Sequence, residues 1–441
     1  MESLSRQGQR TRREWVCSAG ATLAAGVLAG CGTAGGSGGR GANGVVTVPV
    51  MQWGDVPTVD MTKKIIAAFE AKHPKIRVSL QIVTSNFSAK LETLLAGNAP
   101  PGAFYVTPEN CLYYAAHGVL LDLRPLISQV NFPLNDFFPA ALKEFEYKGG
   151  LYGLCRGFGN QDIFYNLGIL KKAGAPRPPT KWTGKHWRFS DYLALAQRCT
   201  RVGGKGPTQW GCYVDTAYRG WFPWVWNNGG HILNAARTRS VMSTPATVGA
   251  LQFLQDLIYR HKVAPTPADL SSQTAVDQFA SGRMALLEGI PAGIANLRQS
   301  ISGFAWDVAP MPAGPGGQYT SGGGIAYAIP KAFAHRAEAW AVVQALESHT
   351  AMSTLALTGT VFSPRKSVAM SKAYARSGAY PAHMNIFTSA ADHVRIDPMT
   401  VHSPQIINIW TQQMGSLWDG SQSAKAVCAA IDQQVNALLG G

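Results

Sequence analysis

The stretch Ile76-Arg77-Val78-Ser79-Leu80-Gln81-Ile82 decides the fold class. Apolar and polar residues alternate in it with a period of two, which puts the apolar set on one face of a half-buried β-strand. Just upstream, residues 61–73 carry Ile65, Ile66 and Phe69 on one helical face and Lys63, Lys64 and Lys72 off it, and Pro74 ends the run. Further upstream, residues 45–53 are rich in β-branched side chains and close on Gly54, the mark of another strand. Strand, helix and strand in succession make a βαβ unit and predict a parallel sheet. The pattern then repeats. Residues 88–96 are helical through Leu91, Leu94 and Leu95, Gly97 caps them, and Ala103-Phe104-Tyr105-Val106 is a short buried strand. The chain is α/β.

The N-terminus has another character. Arg6, Arg10, Arg12 and Arg13 precede a short apolar run, residues 16–27, and then Leu28-Ala29-Gly30-Cys31. A basic head, a short apolar middle and small residues before a cut make a secretory signal peptide over residues 1–30. The run is too short to span ~30 Å of hydrocarbon as a helix. Leu28-Ala29-Gly30-Cys31 resembles a lipobox, which implies acylation of Cys31, and Arg12-Arg13 resembles a twin-arginine export signal. Residues 31–44 hold seven glycines after Cys31 and predict a flexible tether with a reach of ~20 Å.

Composition narrows the function. The formal charge is +14, and cleavage after Gly30 removes four Arg and two Glu, leaving +12. The basic residues are scattered and form no block, so no nucleic-acid partner is expected; an anionic membrane surface explains the charge. Of seven cysteines, Cys17 leaves with the signal and Cys31 takes the lipid, so five remain and no complete disulfide framework is possible. Cys199 and Cys212 are left open as a pair. No CxxC or Cys/His spacing points to a metal, and no cofactor is expected.

Several runs, in order, resemble the extracellular solute-binding proteins of the sugar-binding, maltose-binding-protein-like family. They include Phe69-Glu70-Ala71-Lys72-His73-Pro74, Leu94-Leu95-Ala96-Gly97-Asn98-Ala99-Pro100, Gly118-Val119-Leu120-Leu121-Asp122-Leu123 and Tyr147-Lys148-Gly149-Gly150-Leu151-Tyr152-Gly153. Phe279-Ala280-Ser281-Gly282-Arg283-Met284, Ala309-Pro310-Met311-Pro312 and Gly322-Gly323-Gly324-Ile325-Ala326-Tyr327 continue the series. The resemblance implies a type II periplasmic-binding fold: two lobes, each a mostly parallel sheet flanked by helices, joined by hinge crossovers. Lobe one is expected at 45–157 and 310–350, lobe two at 158–309 and the helical 351–441. Two departures stand out. Pro100-Pro101-Gly102-Ala103 lacks the family's usual aspartate, and no tryptophan follows Met284 at the family's stacking position.

Ligands in open α/β sheets bind beyond the carboxyl ends of the strands. That rule nominates Trp53 as a stacking platform and Asp55 as a hydroxyl acceptor, with Asn86, Tyr105 and Glu109 after the next two strands. Gln161 and Asp162 sit on the first crossover, where both lobes reach a ligand. The aromatic run Tyr218-Arg219-Gly220-Trp221-Phe222-Pro223-Trp224-Val225-Trp226 offers Trp221, Trp224 and Trp226, and the family's corresponding region lines the cleft. Gly323 and Gly324 can present bare N–H groups. Arg365 matches a family position that faces the cleft, and Trp410 adds a platform from the C-terminal helices.

The expected function is a lipid-anchored binding protein, monomeric and without chemistry, on the outer face of the cytoplasmic membrane or in the periplasm. It captures a sugar or oligosaccharide and delivers it to the permease subunits of an ABC importer. A second reading keeps the fold and takes a polyol phosphate such as glycerol 3-phosphate or its diesters, held by Arg156, Arg219 and the glycines. A third, an exported carbohydrate-active enzyme, needs two opposed carboxylates, and none of the 25 acidic residues falls in an evident catalytic motif. Cys31→Ala is expected to move the protein from the membrane to the soluble fraction on cell fractionation. A variant still wholly membrane-bound would show that something other than a lipid on Cys31 holds it.

Overall fold

The structure, a computed structural model, describes residues 43–440 apart from 205, 357–361 and 373–379. The signal peptide, Cys31 and all but the last two tether residues lie outside the described residues. The first lobe opens with β1 (Val46–Gln52), α1 (Val56–Lys72), β2 (Ile76–Ile82), α2 (Phe87–Ala96), β3 (Ala103–Val106) and α3 (Pro108–Ala116). The middle of the chain supplies β4 (Leu154–Asn160), β5 (Asp162–Asn166), β6 (Arg201–Gly203), β7 (Gly206–Cys212), α4 (Tyr218–Asn227) and α5 (Pro245–Tyr259). After these come β8 (Met284–Gly289), β9 (Trp306–Ala309), β10 (Thr320–Ala328), α6 (Arg336–Leu346) and α7 (His349–Ala356). The last elements are β11 (Val394–Arg395), α8 (Ser403–Trp418) and α9 (Ala424–Leu439).

Two sheets form. The first has the order β11-β10-β3-β1-β2, with β4 also on β10; the second runs β9-β5-β8-β7-β6. The βαβ unit read from the sequence is present: β1 pairs parallel with β2, Val48 opposite Val78, and with β3. The sheets are nevertheless mixed, where mostly parallel ones were expected. The cause lies in the first two crossings between the lobes. The chain leaves along β4 and returns along β10, and these two lie antiparallel. It enters along β5 and comes back along β9, again antiparallel.

The crossings also move the expected lobe limits. Only Gln161 separates β4, in the first sheet, from β5, in the second, so the chain changes lobe there and not at 157/158. The side chains of Asn160 and Asp162 bond to each other across that residue, both buried. On the return, Met311 packs in the second lobe's core, and the first lobe resumes at Thr320 and not at 310. The start of the expected helical segment belongs with the first lobe too: α7 packs on α1, the Phe362 carbonyl accepts from the Phe158 amide, and β11 pairs with β10. No change of pattern at 351 marks this in the sequence. Helices α8 and α9 pack on each other, and α9 packs on α5 in the second lobe.

Apolar burial follows the pattern of the strands. Ile163 and Tyr165 point into a cluster with Trp221, Leu251 and Trp410, while Phe164 between them joins the other cluster with Val48, Phe104 and Ala328. Cys111, Cys155, Cys199, Cys212 and Cys428 are all buried and unpaired, which leaves Cys199 and Cys212 unlinked.

One side chain fastens the return crossing. Asn227, buried at the end of α4, donates to the carbonyls of Pro312 and Tyr319 at 2.9 and 3.0 Å and accepts from the Tyr319 amide at 2.6 Å. Loss of these three bonds sets the scale for Asn227→Ala at about 3 kcal/mol. The expected result is a lower midpoint in urea at unchanged slope, and an unshifted midpoint would remove the clamp role.

Candidate functional site

The cavity of interest, about 260 Å³, lies where the crossings meet the carboxyl end of β1. Its apolar wall comes from Trp53 after β1, Phe158 on β4, Ile290 and Ala292 after β8, Ile325 on β10 and Phe362. Its polar groups are Thr107 at the head of α3, Gln161 at the lobe change, Ser321 on β10 and Arg219 in the first turn of α4. A second cavity of about 230 Å³ shares Trp53 and Thr107 and adds Phe87, Tyr105, Glu109 and Asn110. Trp53 therefore borders both. Its ring meets Phe87 at 4.6 Å and Tyr105 at 5.1 Å, each edge to face.

Arg219 is the one cation among the described residues that line the larger cavity. Its Nε donates to Asp397 Oδ2 at 2.7 Å and its Nη2 to Glu109 Oε2 at 3.3 Å. The guanidinium rests on bare backbone: a Cβ at Gly323 would fall 2.7 Å from Nε. On the other face of β10, Gly322 and Gly324 make room for the Glu144 carboxyl, 3.1 and 3.3 Å from where their Cβ atoms would stand. The glycine triplet is thus a strand with a guanidinium laid against one face and a carboxyl against the other.

A proline fixes where Arg219 sits. Pro223 lies inside α4 and has no N–H to give the carbonyl four residues back, which is that of Arg219. The freed carbonyl accepts from Ser321 Oγ on β10 at 3.0 Å. A local helix defect becomes a bond between the lobes. Gln161 is fixed from the second lobe in the same manner, donating from Nε2 to Asp215 Oδ2 at 3.2 Å.

Burial perturbs the acids around Arg219. Desolvation, with Asp397 nearby, pushes the Glu144 carboxyl up to about 8. Desolvation also raises Asp397 to about 6, against the opposing pull of Arg219. Neither Glu144 oxygen makes a hydrogen bond of normal geometry among the described residues.

The nominated residues divide sharply. Trp53, Gln161, Gly323 and Gly324 line the larger cavity, and Tyr105 and Glu109 the smaller one. Asp55 instead caps α1, its Oδ1 accepting from the Thr58 amide at 2.9 Å. Asn86 is exposed in a left-handed conformation before α2. Asp162 is wholly buried behind Gln161. Trp221, Trp224, Trp226 and Trp410 are core of the second lobe; α4 is buried on every side from Gly220 to Asn227, and Trp224 donates to Glu288. Arg365 is buried too, bonded to the Glu347 carbonyl and the Asp136 carboxylate. Arg156, offered for the phosphate reading, has no exposed surface; it donates to the Tyr105 hydroxyl and pairs with Glu347. Aromatic density marked the core here, because bulky rings fill a helix packed on all sides. Phe158, Ile290 and Phe362 carry no motif that singles them out, whereas the proline four residues after Arg219 is a signal for that carbonyl.

Comparison with known proteins places the molecule. The pattern of the bacterial extracellular solute-binding proteins matches residues 57–353. The chain belongs to that family. This solute-binding protein is 29% identical over 156 residues to the arabinooligosaccharide-binding protein of Bacillus subtilis (strain 168), a match covering 34% of the chain and 31% of that relative's length. Its fold is that of an ABC substrate-binding protein from Listeria monocytogenes in complex with cycloalternan, with a TM-score of 0.81 and 22% identity over 89% of this chain and 99% of the other. UgpB from Mycobacterium tuberculosis in complex with glycerophosphocholine is similar at a TM-score of 0.76 and 19% identity, covering 89% and 98% of the two chains. No helix of the described residues is long and apolar enough to cross a membrane.

The raised acids predict a pH dependence. With Glu144 moved from 4.5 to about 8, the folded chain holds a proton there that the unfolded chain has already released across that window. Stability accordingly falls as pH rises from about 5 to 8. Asp162, Glu288 and Glu347 are displaced upward by burial as well and add to the fall. Glu144→Gln is expected to flatten the fall of Tm between those limits by roughly 2 °C or more, followed by calorimetry. Parallel curves for the two proteins would sink the assignment.

Proposed function

We propose that the molecule captures a carbohydrate between its lobes and delivers it to an ABC importer without altering it. The observation that carries the reading is the cavity at the lobe crossings, with Trp53, Phe158 and Phe362 on its apolar side and Thr107, Gln161, Ser321 and Arg219 on its polar side. Small-ligand sites combine such walls with a few converging polar groups. A pyranose or furanose ring fits both, its C–H face on an aromatic ring and its hydroxyls on the amide, hydroxyl and guanidinium. The second cavity beyond Trp53 extends the reading to more than one sugar unit. The arabinooligosaccharide-binding and cycloalternan-bound relatives support a carbohydrate. A role without catalysis fits Glu109 and Asp397, since both carboxylates are engaged by Arg219 and do not face each other across a free gap as an acid and base do.

In this reading Cys31 carries the lipid, the glycine tether spans the gap to the body, and the monomer works at the outer face of the membrane beside its permease. Anchoring holds the receptor near its transporter and raises its effective concentration there. A polyol phosphodiester is the second reading, favoured by Arg219 in the cavity wall and by the glycerophosphocholine complex of UgpB.

A thermal-shift screen of the mature protein separates the two. It sets arabinose, maltose and their oligomers against glycerol 3-phosphate and glycerophosphocholine. A ligand at 100 times its Kd stabilises by about 2.7 kcal/mol. At least one neutral sugar is expected to raise Tm, and Trp53→Ala to weaken that sugar roughly tenfold or more. Shifts from the phosphates alone would overturn the carbohydrate reading.

A further inference from the structure

Arg219 is a cation in a ligand cavity, and its partners decide what that cation can do. A guanidinium has five N–H donors in a fixed fork. One, on Nε, goes to Asp397, and one, on Nη2, goes to Glu109. The two carboxylates come from different places in the fold, Glu109 from the first turn of α3 and Asp397 from just beyond β11. Asp397 is buried and its Oδ1 has no hydrogen-bond partner among the described residues, so its charge is answered mainly by Arg219. Arg237 adds a positive field at Asp397 but bonds to the Met399 carbonyl and does not line the cavity. Glu144 lies across the β10 backbone from the guanidinium. No other Lys, Arg or His is among the described residues lining the cavity.

We infer that Glu109 and Asp397 set the charge selectivity of this cavity, neutralising Arg219 so that it donates to uncharged hydroxyls and turns away phosphate or carboxylate. The inference rests on reading the cavity as the ligand site. A neutral hydroxyl accepts from the remaining N–H groups at no Coulombic cost. An anion in the same place approaches one positive charge and two negative ones a few ångströms apart, and in a half-buried site like charges at that range repel strongly. The guanidinium cannot swing to a new anion either, being held at both ends and seated on Gly323. Selectivity of this kind acts by exclusion, through repulsion built against the wrong ligand. The same residues that make Arg219 look like a phosphate site make it a poor one.

The test is calorimetric titration near neutral pH of the mature wild type, Glu109→Gln and Glu109→Gln/Asp397→Asn, using inorganic phosphate and glycerol 3-phosphate. Glu109→Gln is the safer substitution, since that side chain is 13% exposed whereas Asp397 is buried. The variants are expected to bind at least one of the two anions about tenfold tighter than the wild type or more, and Arg219→Gln added to Glu109→Gln should abolish the gain. A wild type that binds the anions as tightly as the variants would overturn the inference. So would a Glu109→Gln protein with wild-type circular dichroism that gains nothing. No sugar enters this comparison, so a mistaken carbohydrate reading shows separately, as a wild type that binds no neutral sugar.

Discussion

The Arg219 guanidinium, pinned between Glu109 and Asp397 and seated on Gly323, is the interaction on which the site depends. Each neighbour makes sense only with it in place. Gly323 is bare because the guanidinium occupies the space a Cβ would take. Asp397 tolerates burial because one of its oxygens has a cationic donor. Pro223 leaves the carbonyl of the same residue open for Ser321, so backbone and side chain of Arg219 both reach the first lobe from the second. The arrangement has a consequence for motion. Any opening of the lobes that carries α4 away from β10 must break a charged contact and a neutral one together, which favours two discrete positions over a continuum.

The first two crossings are unequal in construction. The first is a single residue, Gln161, flanked by side chains that bond to each other. The second runs over 310–319 and is held by Asn227 and by close approaches of Gly314 and Gly316 to the end of α4. The Thr320 hydroxyl bonds the Gln161 carbonyl at 2.6 Å and ties one to the other. Torsion applied to one crossing is therefore felt at once by the other.

Local chemistry in the sequence was enough for the α/β class and for the βαβ unit, because alternation in 76–82 and helical spacing in 61–73 reflect burial on one face. The carboxyl-end rule singled out Trp53, and the lobe change Gln161, both topological positions and both in the wall of the cavity. Where the reading failed, one cause recurs. Trp221, Trp224, Trp226 and Trp410 are rings in a core, and a helix enclosed on all sides looks in sequence like a rich binding surface. Asp55 went to a helix cap, the ordinary use of an acid before a helix start. Arg365 turns inward to a partner far off along the chain, a distance no short motif encodes, and Asp162 turns inward to Asn160 two residues back. Pairing also overrode expectation in the sheets, since strands that cross and return lie antiparallel whatever their composition.

The cysteines carry a last consequence. All five in the described body are buried, and burial pushes the thiols of Cys199, Cys212 and Cys428 up to about 11, 12 and 12. Thiolate is the reactive form, so these groups stay silent toward oxidants and alkylating dyes while the fold is intact. With Cys31 removed, the body offers a blank chemical background. One cysteine introduced at the rim of the cavity would then take a fluorophore at that place alone, and the receptor would become a reporter of its own ligand.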